Sequence, residues 1–193
     1  MSYRSFALCL VGSLLAMSTV QADLIIDDQA GLALDITAWT GEGENTSYFV
    51  VDFEATGGSS YAFGYQWSGV ETVMDMINSL SSETVFQAEM TSFGEFGTFI
   101  DNFTFMSDSG DPLNYWAHSL ALPDGSGIVD WTAAGGGVEA EILSDGLISG
   151  WYNGFNEDFS VINPTLPLTN VPAPAGLALA GLAFLGTRRR RRH

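Results

Sequence analysis

His118 is the only imidazole in the chain besides the C-terminal His193. It stands between Trp116 and Leu120 in the alternation of a segment that reads as a strand. The ordinary outcome there is a half-buried, hydrogen-bonded histidine, and the sharper one is a general base. One histidine does not build a transition-metal site unaided. The sequence holds no Gly-x-Ser-x-Gly elbow, no His-Glu-x-x-His and no phosphate loop. What it holds in quantity is carboxylate: all 23 Asp and Glu lie between Asp23 and Asp158, a stretch without lysine or arginine. Two acids flanking a glycosidic bond suffice for hydrolysis. Among so many acids, however, proximity of two carries no information, and the chain is expected not to be an enzyme. The loops Asp108-Ser-Gly-Asp111 and Asp124-Gly-Ser-Gly127 offer hard oxygen ligands, so Asp108, Asp111 and Asp124 are candidate calcium ligands. Neither loop follows the EF-hand pattern, and ordinary turns use the same residues. No other cofactor is expected. Trp39, Trp67, Trp116, Trp131 and Trp151 are the candidate stacking platforms for carbohydrate, with the alternation leaving open which of them point outward.

The placement of charge narrows the partners. Basic residues occur only at the ends, as Arg4 and Arg188 to Arg192, so the stretch between carries a formal charge of −23 that the whole-chain value of −17 conceals. Such a surface repels phosphate backbones, and no nucleic-acid partner is expected. Its acids must be solvated, hydrogen-bonded or neutralised by cations, because no Lys or Arg is there to pair with them. A surface suited to salty extracellular water meets that requirement, and so do divalent-cation sites. Cys9 is the single cysteine, so disulfides are excluded from everything after it.

The two ends carry an address. Arg4, an apolar run from Phe6 to Met17, and the small residues at Val20 and Ala22 follow the order of a secretory signal. Residues 1–22 are therefore expected to be a signal helix, cleaved before Asp23 by signal peptidase. At about a dozen residues the run is short for a bilayer core of roughly 30 Å. At the other end, Pro172 and Pro174 precede an apolar stretch of about a dozen residues, then Arg188, Arg189, Arg190, Arg191 and Arg192. A helix of that length reaches under about 20 Å, and snorkelling arginines with local bilayer thinning make up part of the difference. The arginines stay cytoplasmic by the positive-inside rule, which puts the acidic domain outside.

This three-part tail resembles a PEP-CTERM sorting signal: a short proline motif, here Val171-Pro172-Ala173-Pro174, an apolar helix and a terminal basic cluster. Ala173 stands where the eponymous glutamate would be. The resemblance implies recognition by an exosortase-type membrane peptidase and a Gram-negative host making extracellular polysaccharide. It also implies anchoring in the inner membrane, then delivery to the envelope or matrix.

Between the ends, residues 23–162 read as one acidic β-rich domain, and 163–170, with two prolines, as an extended linker to the tail at 171–193. Tyr61, Phe63, Tyr65 and Trp67 alternate on one face of a strand, and Ser47 to Glu54 precede it across Gly57-Gly-Ser-Ser60, which predicts a hairpin. Leu32 to Thr40 is another strand candidate. Val70, Val73, Met74, Ile77 and Leu80 follow helical spacing, with Ser68 and Glu71 as a capping box. Further strands are expected over 85–91, 97–105, 114–122, 128–132, 138–143 and 147–152. One core helix among eight or nine strands predicts an α+β class, a single antiparallel β-rich domain.

Residues 47–77, 93–101 and 145–152 resemble an uncharacterised extracellular domain attached to PEP-CTERM tails, a family that lends no activity. The helix, the Tyr115-Trp116 strand and the Asp145-Gly146 turn before an aromatic strand resemble, in that order, the β-grasp domain of transcobalamin-like proteins. That implies a β-grasp-like fold. The expectation for function is an exported, membrane-tethered or surface-released matrix protein that binds or organises extracellular polysaccharide. The alternatives are a small-ligand-binding β-grasp module and a small secreted hydrolase.

Overall fold

The computed structural model describes residues 23–171. The expected signal peptide with Val20 and Ala22, and the tail from Pro172 through Ala173, Pro174 and Arg188 to Arg192, lie outside the described residues. Among the described residues one α-helix accompanies twelve strands, an α+β architecture.

The frame is a six-stranded sheet. β1 (Ile25–Asp27) and β2 (Leu32–Leu34) come first in the chain but sit outside it. β3 (Ile36–Gly41), β4 (Asn45–Asp52) and β5 (Ser60–Trp67) belong to it. α1 (Val73–Glu83), β6 (Gln87–Ser92), β7 (Thr98–Phe105) and β8 (Asp108–Ser109) follow, then β9 (Trp116–Ala121), β10 (Thr132–Ala133), β11 (Ile148–Asn153) and β12 (Leu168–Asn170). The strand order of the large sheet is β10-β9-β11-β4-β5-β3, with β1-β2-β12 and β6-β7-β8 as smaller sheets. The β4–β5 hairpin forms as expected, turning through Gly57, whose φ of 80° suits glycine.

The sheet is mixed rather than antiparallel: β11 runs parallel to β4, and β3 parallel to β5. The cause is long-range. After β5 the chain crosses through α1, builds β6 to β8 away from the sheet, and returns on the far side of β4. Two antiparallel pairs, β4–β5 and β9–β11, thus meet along a parallel central seam.

The alternation in β5 places Phe63, Tyr65 and Trp67 in the core beneath α1, with Tyr61 packed against it. The other face of β5 is also buried, through Ala62. The α1 stripe is Val73, Met76, Ile77 and Leu80, while Val70 is exposed and precedes the helix. The capping box is Thr72 with Asp75, one turn later than Ser68 with Glu71. Glu71 is instead engaged by the Tyr65 hydroxyl. The expected strand over 138–143 is a turn with a different task. Its carbonyls at Glu141 and Val138 accept the amides of Val73 and Met74, two of the donors that a helix start leaves unpaired. The segment keeps a single antiparallel bridge, Ile142 to Thr72, and no longer ladder. Of 128–132, only Thr132 pairs, because Val129 and Trp131 turn onto the opposite face of the sheet. Leu32 to Thr40 is likewise two strands, broken at Asp35, that enter different sheets.

Residues 163–170 are extended but not detached. Thr165 donates its amide to the buried Asp52 carboxylate at 2.8 Å, Asn163 receives the Ser119 hydroxyl, and β12 pairs with β2. The central sheet therefore lies between two layers. α1 and the β6–β8 sheet cover one face, and the β1-β2-β12 sheet with Trp39 and Trp131 covers the other.

Candidate functional site

The expected tryptophan platforms are part of the core. Trp67, Trp116 and Trp151 are buried, and Trp39 and Trp131 lie half-buried against the second cluster. The exposed rings are phenylalanines and a tyrosine gathered at one end of the helix-side face: Phe93, Phe96, Phe99, Tyr115, Phe155 and Phe159. Phe96 and Phe159 are each 85% exposed and Tyr115 is 80% exposed. Buried rings would have been the cheaper arrangement, since each exposed ring forgoes the gain of leaving water.

Local structure puts them there. In β7, Ile100 pairs with Met90 and Asn102 with Glu89, so Asp101 is an extra residue in the ladder. This bulge changes the facing of the strand: Phe103 and Phe105 point into the core, while Phe99 points out. Phe93 packs edge-on against Phe99 at 5.4 Å, and a 3-10 turn at Gly94–Phe96 lifts Phe96 beyond them. On the opposite wall, the loop from Asn156 to Ser160 closes on itself, Asn156 donating its amide to the Ser160 carbonyl. It presents Phe159 at a φ of 63°, a left-handed conformation that a bulky side chain rarely adopts.

Between these walls runs a groove of about 650 Å³, floored by Trp116, His118 and Trp151 and flanked by Gly135, Gly136 and Gly137. A second hollow of about 680 Å³ adjoins it, sharing Phe96, Phe99, Ile100 and Tyr115. Glu89, Asp101, Asn102 and Asn114 add polar groups to its lining. Both volumes fall in the range of ligand sites. Glu139 receives the Thr98 amide beside the first hollow, and Glu141 receives the Gly136 amide.

His118 is a floor residue of the groove, fixed by a stacked ring and a hydroxyl. Its ring stacks flat on the Trp151 indole, 4.0 Å between centroids with 6° between planes. The indole N–H donates to the Ser149 hydroxyl at 3.0 Å, and the same hydroxyl lies 2.9 Å from Nε2 of His118, within hydrogen-bond distance. Burial pushes the His118 pKa down to about 3, so the ring is neutral at ordinary pH. The arrangement has the outline of a serine–histidine pair, but Ser149 is fully buried.

The three candidate calcium ligands sit in separate turns. Asp108 accepts the Ser59 amide and the Tyr61 hydroxyl, each at 2.9 Å, and these bonds hold its pKa below the usual carboxylate range. Asp111 accepts the Leu113 amide. Asp124 bonds Ser126 in its own turn, which lowers its pKa as well. Among the described residues no three His, Cys, Asp or Glu side chains are grouped to hold a metal. Nor is any described helix long and apolar enough to cross a membrane.

The exposed phenylalanines have one signal in the sequence. Phe93-Gly-Glu-Phe-Gly97 sets two rings among glycines, where neither helix nor strand can bury them. No family model, curated protein or solved structure matches the chain.

Proposed function

We propose that residues 23–171 form the binding domain of an exported envelope or matrix protein, and that the domain holds extracellular polysaccharide in its aromatic groove without transforming it. The carrying observation is the cluster of exposed rings, Phe93, Phe96, Phe99, Tyr115, Phe155 and Phe159, around two adjoining hollows. Flat apolar faces beside asparagine and carboxylate groups suit a sugar ring, which presents C–H faces and hydroxyl edges together. Two hollows in series suit a chain-like ligand better than a compact one. The signal-like residues 1–22 and the PEP-CTERM-like tail, Val171 to Arg192, support export, processing by signal peptidase and an exosortase-type enzyme, inner-membrane tethering and delivery to the surface. The hydrolase alternative draws nothing from Ser149 and His118, because the hydroxyl is buried.

A second reading has its own support. The order β5-β4-β11-β9, with a parallel centre and α1 crossing after β5, is the arrangement expected of a β-grasp-like domain. A β-grasp-like module for a compact small ligand would use the first hollow alone.

Retention of the secreted protein on the host's own polysaccharide tests both. The wild type is expected to be retained, with its N-terminus at Asp23, and the doubly substituted Phe96→Ala, Phe99→Ala protein to flow through at unchanged melting temperature. Equal retention of the two proteins would sink the groove. An unretained wild type that captures one defined small molecule would favour the second reading.

A further inference from the structure

The geometry points to a cationic ligand for the groove: a polysaccharide of amino sugars whose amines are free and therefore charged. The inference rests on the polysaccharide reading above and goes beyond it to the class of sugar. Glu89 and Asp101 line the second hollow, and Glu139 and Glu141 stand at the glycine wall of the first. Of these, Asp101 is bonded to the Thr91 hydroxyl and Glu139 and Glu141 to backbone amides, all neutral partners. Among the described residues none of them has a cationic partner, since residues 23–171 contain neither lysine nor arginine and His118 is neutral. A cationic ligand would bring these acids the charged partner that the described residues do not supply.

The aromatic walls add to this preference. An ammonium group over the face of a phenylalanine or tyrosine is attracted by the ring quadrupole, more strongly where water is partly excluded. A pyranose bearing an ammonium group would therefore find a ring for its C–H face and a carboxylate or ring face for its charge. Chains of uronic acid or sulfated sugar meet the opposite situation: each acidic unit would enter a groove with acidic lips, on a domain of formal charge −23. A second copy of this domain is a poor occupant for the same reason.

Trp116 and Trp151 floor the groove, so intrinsic fluorescence reports its occupancy. The purified full chain would be titrated with three probes of equal length: a glucosamine oligomer with free amines, the same oligomer fully N-acetylated, and a polyuronate. At an ionic strength of about 0.01 M, where charges act over roughly 30 Å, the free-amine oligomer is expected to bind at least about tenfold tighter than the N-acetylated one. That preference should shrink towards parity near 1 M salt, and the polyuronate should not bind. Glu89→Gln with Asp101→Asn should reduce the preference while leaving affinity for the N-acetylated oligomer in place. Phe96→Ala with Phe99→Ala keeps all 23 acids and should lose both sugars. If that variant binds the free-amine oligomer like the wild type, attraction is diffuse and the proposal falls. Equal affinity for the two glucosamine oligomers would overturn the cationic preference and leave the polysaccharide reading intact. Binding of none of the three, or of the polyuronate alone, would overturn both.

Discussion

The two faces of the central sheet use aromatic side chains in opposite ways. On the face covered by β1, β2 and β12, Trp39 lies across Gly64 and Trp131 across Gly150, each indole occupying the space that a β-carbon would need. The face is sealed: tryptophans are plugs, and glycines are their sockets. On the helix side, α1 and the β6–β7 pair cover a cluster of Phe49, Phe63, Phe86 and Phe103, packed edge-to-face or tilted at centroid distances of about 5 to 6 Å. That cover stops short of the end built by β9 and β11, and there the outer rings stand in water, with Phe93 against Phe99. The difference separates stability from function in space. One face is filled to the limit, and the other leaves apolar surface in water where a ligand could displace that water.

The sealed face should break most readily. An ideal β-carbon on Gly64 would lie 2.2 Å from the Trp39 ring, well inside contact. Gly64→Ala must push the indole off β5, and its edge contact with Tyr48 goes with it. Overpacking of this kind costs about 1–3 kcal/mol. Urea denaturation should report it as a lower midpoint at unchanged slope. Groove binding should survive, because Gly64 faces the other layer. Loss of binding in this variant would mean that the two faces are not independent.

The groove floor offers a smaller, pH-dependent test. The folded-state pKa of His118 is pushed down to about 3 by burial, against 6.5 in an exposed imidazole. Above pH 6.5 both folded and unfolded states hold it neutral, and its effect on stability is nil. Between 6.5 and 3 the unfolded chain takes up a proton that the folded one refuses, so stability falls as the pH drops. Asp108, Asp124 and Asp158, whose pKa values hydrogen bonds hold below the usual carboxylate range, also cost stability as the pH falls, which makes the wild-type curve alone uninformative. The useful quantity is the difference from His118→Phe, which keeps a ring against Trp151 and loses the titration. Melting temperatures at pH 7 and pH 4 should show the variant gaining on the wild type at the lower pH, by about 1 kcal/mol or more. A constant difference would show that the imidazole is hydrated and titrates normally.

Local pattern carried much of this architecture, and the failures have identifiable causes. The alternation of Tyr61, Phe63, Tyr65 and Trp67 gives a strand with an aromatic core face, and the spacing of Val73, Ile77 and Leu80 gives the helix. Both signals come from side chains that meet one neighbouring layer. The parallel pairing of β11 with β4 depends on where the chain returns after the 95 residues from 53 to 147, and nothing near Ile148 encodes it. Val138 to Leu143 has a strand-like composition, but it turns so that its Val138 and Glu141 carbonyls receive the α1 N-terminus. For the site, simple alternation groups Phe99 with Phe103 and Phe105, and the single unpaired Asp101 reverses that. Tryptophans were the natural candidates for a sugar platform. Their size is what makes them plugs instead, since glycine sockets at 64 and 150 can be seen only once β3 lies beside β5 and Trp131 folds over β11.

The last test joins the two faces' logics at one residue. Phe159 holds a left-handed φ of 63°, costly for any residue with a β-carbon and more so for a bulky one, and its ring lines the groove with 85% of its surface in water. Neither feature stabilises the fold. If the groove is a binding site, both are maintained for a ligand, and the residue stores strain where the site needs a ring. Phe159→Gly relieves the conformation at the expense of a more flexible unfolded chain, and the net change should be a gain of up to about 1 kcal/mol. The same substitution removes one wall of the first hollow and should weaken oligosaccharide binding severalfold. Stability and binding would thus move in opposite directions from a single change. A variant that loses stability would show that the Asn156 to Ser160 loop depends on the ring for packing, and the strain at Phe159 would then belong to the fold and not to the groove.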